Sequence, residues 1–294
     1  MKFIRYSYLL VLLVFRNIRW LAILCFRGNP EPWPVLDYRM VLCARSAGLD
    51  PKENSIHKQL ILDHIRERQA TKLMKPFIRP DDVILELGAN IGYYVLMESR
   101  ILSDKGFIYA VEPALENIEL LKKNIELNSV KQVEVNHMAI SDRKGMARLY
   151  TGKACNLHSL INKSNSPDAE YVEVPTDTVD GFLQGRRPVT LLRMDIEGYE
   201  VEIIHGMTRT LASDQLKRLF IEIHPHRVDP EKMCHFLELL EQHGFEITHA
   251  ISRDNFQRAV LGHCTVETIS IAELKCDPRV LNKEHAFEIF FERS

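Results

Sequence analysis

Between residues 82 and 292 the chain alternates short runs rich in β-branched and aromatic residues with stretches whose apolar positions recur every three or four residues. This alternation predicts βαβ units around a parallel sheet, because strands covered on both faces by helices must be apolar almost continuously. The predicted strands are 83–87, 107–111, 133–137, 189–194 and 219–223, with two more near 245–250 and 286–292. Helices are predicted over 92–102, 116–128, 200–212 and 230–244. Upstream, Ile56, Leu60, Ile61, Ile65, Leu73 and Met74 share a helical spacing, which predicts one lead-in helix over 55–75 that Ser55 caps and Pro76 and Pro80 close.

The alternation fails at both ends of the argument. Residues 141–188 are too long for a bare connection in a compact domain, and the alternating pieces 147–150 and 171–175 predict an inserted hairpin. Such insertions at the carboxyl ends of strands commonly carry the substrate site. Residues 1–28 contain no acidic side chain, and their apolar runs are interrupted by Arg16, Asn17 and Arg19. On a helical wheel Lys2, Arg5, Arg16, Arg19 and Arg27 fall within an arc of roughly 100°, the pattern of a helix lying in a membrane interface. A tilted anchor and a helix docked on the protein's own domain are the competing readings. Residues 28–34, which hold three prolines, read as a linker. The expected organisation is therefore a basic amphipathic segment (1–28), a linker with lead-in helix (29–75) and a catalytic domain (76–294) with an insertion at about 141–188.

Composition narrows the partners. With 294 residues, 46% hydrophobic, the chain can bury one substantial core. A net charge of −2 provides no field to attract nucleic acid. The six cysteines show no C-x-x-C pair and no zinc-type spacing, so they read as reduced thiols in a cytoplasmic protein, with the cytoplasmic face of a membrane as the place of any attachment.

The first chemical motif is Glu86-Leu87-Gly88-Ala89-Asn90-Ile91-Gly92, which follows an apolar strand and opens a helix. Glycines there let the backbone turn tightly and approach a ligand. The third glycine of the dinucleotide fingerprint is missing, and a carboxylate at Glu86 would repel a diphosphate while welcoming an ammonium or sulfonium. The charge favours S-adenosylmethionine over a nicotinamide cofactor. About twenty residues on, Glu112 closes the next strand, where an acid can accept the ribose hydroxyls. Ala139, after the third strand, is placed to offer backbone to the adenine.

Taken in order, Glu86 to Tyr94, Glu112-Pro113, Ala139 to Asp142 with Gly145, Asn156 to Leu160, Val174 to Asp180 and Leu192 to Glu200 resemble the FkbM family of methyltransferases. The resemblance covers about residues 60 to 245, and the D-I-E-G-x-E block is its most specific piece. It implies the class I methyltransferase fold, a Rossmann-like α/β sandwich with a seven-stranded, mostly parallel sheet, here preceded by an N-terminal helical extension. It also implies methylation of hydroxyl groups on sugars, glycans or secondary metabolites. By that resemblance Glu86, Gly88, Asn90, Gly92 and Glu112 carry over as cofactor contacts.

Methyl transfer is an in-line displacement, and a hydroxyl acceptor must lose its proton as the new bond forms. Candidates sit beyond the fourth and fifth strands: Asp195 and Glu197, then Glu222, His224 and His226. His224 is the preferred general base and Asp195 the next, with Asp195 also counted beside the cofactor. Asp195, His224 and His226 could instead ligate a divalent ion, although no metal is expected. Tyr93 and Tyr94 stand where one could meet the sulfonium and the other pack in the core. A noncatalytic module presenting the insertion to a membrane glycan, a nicotinamide enzyme, and methylation of nitrogen or protein are the remaining alternatives.

Overall fold

The computed structural model describes residues 2–26, 29–45, 55–150, 160–161, 170–252 and 264–293. Its first part comprises α1 (Lys2–Phe26), β1 (Glu31–Val35), β2 (Tyr38–Leu42), α2 (Ile56–Asp63) and α3 (Arg68–Phe77). The first half of the sandwich follows as β3 (Val83–Leu87), α4 (Tyr93–Ser99), β4 (Phe107–Glu112), α5 (Leu115–Leu127) and β5 (Val133–His137). Next come β6 (Ala139–Ile140), β7 (Gly145–Tyr150), β8 (Tyr171–Asp177) and α6 (Val179–Phe182). The second half is β9 (Leu191–Met194), α7 (Glu200–Ile203), α8 (Thr208–Ala212), β10 (Arg218–Ile223) and α9 (Pro230–Gln242). The chain closes with β11 (Glu246–Ser252), β12 (Thr265–Glu267), α10 (Ile271–Lys275), α11 (Pro278–Leu281) and β13 (Phe287–Glu292).

The large sheet has the order β12-β11-β13-β10-β9-β3-β4-β5. Strands β5, β4, β3, β9 and β10 are mutually parallel, and β13 enters antiparallel between β10 and β11. This is the class I methyltransferase order, seven strands long, to which β12 adds a short antiparallel edge strand. Strand order reverses between β3 and β9, so a crevice opens beyond their carboxyl ends, where such sheets take ligands.

Alternation along each strand divides the core into two layers. Leu85, Leu87, Val111, Leu192, Met194 and Ile221 pack on one face of the sheet. Ile84, Ala110, Leu191, Phe220 and Phe290 pack on the other, against α2, α3 and α4. The second face changes character toward the crevice, where Glu86, Arg193, Glu222 and Glu288 take the same parity as these apolar residues and are all buried.

The expected hairpin in the insertion is present: β7 and β8 pair antiparallel from Gly145↔Thr176 to Tyr150↔Tyr171, and β6 joins β8 to make a three-stranded sheet. Of the motif at 156–160, only Leu160 lies within the described residues.

Three expectations are corrected. The proline-rich segment is not a plain linker, because Glu31–Val35 pairs with Tyr38–Leu42 as a two-stranded hairpin. Prolines are tolerated on such an edge, and the alternating Trp33 and Val35 turn into the core. The single helix over 55–75 is two. His64 and Glu67 adopt left-handed backbone (φ 59° and 43°). The His64 carbonyl accepts from Leu36 N at 2.9 Å, and its ring Nδ1 lies 2.8 Å from the Pro34 carbonyl. Hairpin docking thus overrides helical periodicity. The helix over 200–212 divides as well: the Asp180 carboxylate accepts from the backbone of Arg209 (2.8 Å) and Thr210 (2.9 Å), which caps α8 as a separate helix.

Candidate active site

The β3–α4 bend is built by backbone geometry. Gly88 has φ 82°, and a Cβ placed there would lie 2.1 Å from the Asp195 carbonyl oxygen, so only glycine lets β3 and β9 converge at the crevice. The amides of Gly88 and Ala89 both donate to the Val111 carbonyl at 3.0 Å, tying the bend to β4. Asn90 takes φ 49° and uses its own Oδ1 to accept from Ile91 N at 2.8 Å, a side-chain turn that suits asparagine to left-handed backbone. Gly88, Ala89 and Asn90 line one wall of the crevice. Gly92 does not: at φ 93° it caps α4, and a Cβ there would meet Leu121 at 2.6 Å. Its role is to bring α4 against α5, and its expected place as a cofactor contact is corrected.

Glu112 sits on the crevice floor at the end of β4, 4% exposed. Its Oε1 accepts from Ala114 N (3.0 Å) and Asn117 Nδ2 (3.1 Å), and its Oε2 accepts from Asn90 N (2.8 Å). A carboxylate has about four acceptor positions, so one position on Oε2 remains for a ligand donor. Burial raises its pKa to about 7 against the opposing pull of these three donors. Ala139 and the neighbouring Met138 and Ile140 form the opposite wall with Leu149 and Leu160, an apolar slot suited to a flat ring.

Glu86 was expected to face the cofactor and instead points under the sheet. It is 1% exposed and accepts from Arg193 Nη1 at 2.6 Å. Burial raises its pKa to about 7, while Arg193 pulls in the other direction. Glu98 on α4, buried beside it, is pushed well above the usual carboxylate range by burial and by Glu86. The Arg193 guanidinium stacks 3.7 Å from the Tyr94 ring centre and reaches Asp195 Oδ2 at 3.4 Å. Tyr93 and Tyr94 both border the crevice with their hydroxyls tied down, Tyr94 to Glu67 Oε2 at 2.8 Å and Tyr93 to Thr71 Oγ1 at 2.8 Å.

The D-I-E-G-Y-E block wraps the carboxyl end of β9. Asp195 lines the crevice beside the Gly88 bend and is approached by Arg193 and by Arg66 Nη2 at 3.9 Å. Glu197 (φ 62°) borders both this crevice and a second, open depression that contains Glu222, His224, His226 and Arg227. Arg227 forms an ion pair with Glu197. His224, 3% exposed, has Nδ1 2.9 Å from Glu200 Oε1, while Nε2 lies 3.6 Å from Glu222 and 4.0 Å from Glu197. Burial alone would lower its pKa, but Glu200, then Glu222 and Asp195, raise it to about 9. His224 is therefore an imidazolium at neutral pH and stands behind the crevice wall, whereas Asp195 stands on it.

Among the described residues, two groups bring possible metal-ligand atoms within 4.8 Å of one another: Asp195, Glu197 and His224, and Glu67, Glu222 and Glu288. In the first, guanidinium groups already occupy the carboxylates, Arg227 on Glu197 and Arg193 on Asp195. His226 borders the second depression and is not in either group. Sequence reasoning missed Arg66, Asn117 and Arg193. Asn117 lies on the expected helix five residues after Glu112, one turn from its carboxylate, a spacing that could have flagged it.

The family model described as the methyltransferase FkbM domain matches residues 86–247. Among curated relatives, Methyltransferase 1 of Beauveria bassiana is 27% identical over 175 residues, 52% of this chain and 66% of that protein. Hexuronic acid methyltransferase AglP of Haloferax volcanii is 26% identical over 181 residues, 58% of this chain and 67% of that protein. The chain thus spans about two thirds of the length of these relatives. Among solved structures, a methyltransferase FkbM from Methylobacillus flagellatus KT aligns at 13% identity with a TM-score of 0.43, over 72% of this chain and 44% of that one.

Proposed function

Because this chain belongs to the FkbM methyltransferase family, we propose that it transfers the methyl group of S-adenosylmethionine to a hydroxyl oxygen of a sugar, glycan or secondary metabolite. The observation that carries the reading is the pairing, across one crevice, of a buried acid with an open acceptor position (Glu112) and a carboxylate at the opposite strand end (Asp195). S-adenosylmethionine supplies an electrophilic methyl on a sulfonium. The residues present fit it: the Cβ-free approach at Gly88 would admit the ligand against backbone, the Oε2 of Glu112 would accept from a ribose hydroxyl, and the apolar lining beside Ala139 would hold the adenine.

The same geometry favours Asp195 over His224 as the base. Asp195 borders the crevice, whereas His224 stands behind its wall and carries its second proton up to about pH 9. Asp195 accepts the hydroxyl proton as the carbon–oxygen bond forms. His224 is a positioning residue: held by Glu200 at Nδ1, it presents positive charge to Glu222 and Glu197 and fixes the wall shared by the two depressions. A sugar acceptor is supported by the relative named a hexuronic acid methyltransferase. The test is release of S-adenosylhomocysteine with a panel of uronic acids, neutral sugars and hydroxylated metabolites. Turnover on an amine or a protein, with none on any hydroxyl, would overturn the oxygen assignment.

A further inference from the structure

Helix α1 has two unlike faces. One docks on the domain: Trp20 is 2% exposed with Lys58 Nζ 5.6 Å above its ring, Arg16 pairs with Asp63, and Arg19 Nη1 donates to the Leu62 carbonyl at 3.3 Å. Ile23 and Leu24 pack beside Trp20. The other face is bare. Val14, Phe15, Ile18, Leu21 and Phe26 are between 51% and 87% exposed, with the exposed Ala22 and Cys25 between them. Their spacing (14, 15, 18, 21, 22, 25, 26) is that of one helical stripe. Five large apolar side chains left in water on one helix form the kind of patch that marks an interaction surface.

Charge and length identify the occupant. Residues 1–28 hold no acid, and with Arg16 taken by Asp63 the segment's excess positive charge rests on Lys2, Arg5, Arg19 and Arg27. Among the described residues no helix is long and apolar enough to cross a membrane. A second copy seated on this face would bring two acid-free basic helices together, which repel. An anionic lipid surface meets both the apolar stripe and the charge. We propose that the outward face of α1 lies in the surface of an anionic bilayer while its inward face holds the catalytic domain. Helix α1 docks on α2, and Ile56 of α2 and the following Arg66 border the crevice, so the lipid surface stands one helix away from the reaction.

The experiment is co-sedimentation of the full chain with phosphatidylcholine vesicles and with vesicles that also contain phosphatidylglycerol. Preferential capture by the anionic vesicles, weakened by salt, is expected. The triple substitution Phe15→Ser, Ile18→Ser, Leu21→Ser should lower vesicle affinity by at least about tenfold and leave calorimetric S-adenosylmethionine affinity unchanged, which also verifies that the domain is folded. In a second variant, Phe15→Trp, the emission should shift to the blue when anionic vesicles are added. No capture of the full chain, capture indifferent to the triple substitution, or an unshifted emission would each overturn the proposal. A concentration-dependent dimer abolished by the triple substitution would overturn it in favour of a second copy. Membrane material that resists alkaline extraction would overturn it in favour of spanning insertion.

Discussion

Glu112 should make cofactor binding depend on pH in a direction opposite to stability. Burial holds its carboxyl neutral to about pH 7 rather than the ordinary 4.5, which opposes ionisation by about 3 to 4 kcal/mol at roughly 1.4 kcal/mol per pH unit. The folded pKa is raised, so the associated stability is fully present below about pH 4.5, declines between 4.5 and 7 as the unfolded chain alone ionises, and is lost above 7. A ribose hydroxyl, by contrast, donates best to the ionised group. Affinity for S-adenosylmethionine should therefore rise by up to about tenfold per pH unit from about pH 5 to 7 and level off above, with a proton released on binding below 7. Three of the four acceptor positions are already filled by Asn90, Ala114 and Asn117. The ligand thus gains one charge-assisted bond, worth about 1.5 to 3 kcal/mol. Glu112→Gln should weaken binding at about pH 8 by roughly ten- to hundredfold and abolish the pH dependence. Isothermal titration calorimetry in buffers of different ionisation enthalpy reads both the affinity and the proton count. Wild-type affinity that stays constant from about pH 5.5 to 8 would refute the reasoning.

Other consequences follow from the crevice and its supports. Asp195→Asn should lower kcat by about a hundredfold or more while changing S-adenosylmethionine affinity little, read by initial rates beside calorimetry; wild-type turnover would remove it as base. Arg193→Met leaves Glu86 buried without its cation and should cost about 3 to 5 kcal/mol in urea denaturation. Adding Glu86→Gln to that variant should restore part of the loss, and independent, additive effects would argue against the pair. Gly88→Ala forces a Cβ toward the Asp195 carbonyl in a left-handed conformation, and should destabilise the fold by more than about 1 kcal/mol and abolish cofactor binding. A melting temperature equal to wild type would contradict the crowding.

How legible the site was depended on whether backbone or side-chain direction was in question. The bend at Gly88 and the acid at Glu112 could be read because the constraint is local: a residue with no Cβ where a strand turns into a helix, and a carboxylate at the end of the next strand. Glu86 could not be read in the same way. All five residues of β3 are buried, so hydrophobic alternation does not reveal parity. Its partner Arg193 lies 107 positions away on a neighbouring strand. His224 shows the same limit: its spacing to Glu222 was visible, but its charge is set by Glu200, which only the turn after β9 brings to Nδ1.

The N-terminal segment repeats this division on a larger scale. A basic arc along α1 is visible on a helical wheel, and alone it suggests that the charges face a lipid surface. The structure turns Arg16 to Asp63 and Arg19 to Leu62, so part of that arc serves as the seam to the domain, and the apolar residues between face outward. The partners of the seam sit at the end of α2, immediately before the left-handed break at His64 and Glu67 that sends Arg66 to the crevice and Glu67 to Tyr94. One interruption of helical periodicity therefore serves two purposes. It ends α2 where α1 can grip it, and it delivers Arg66 toward Asp195. A helix that ran unbroken from Ser55 to Lys75, as periodicity alone predicts, would carry these side chains past the crevice and leave Asp195 without Arg66.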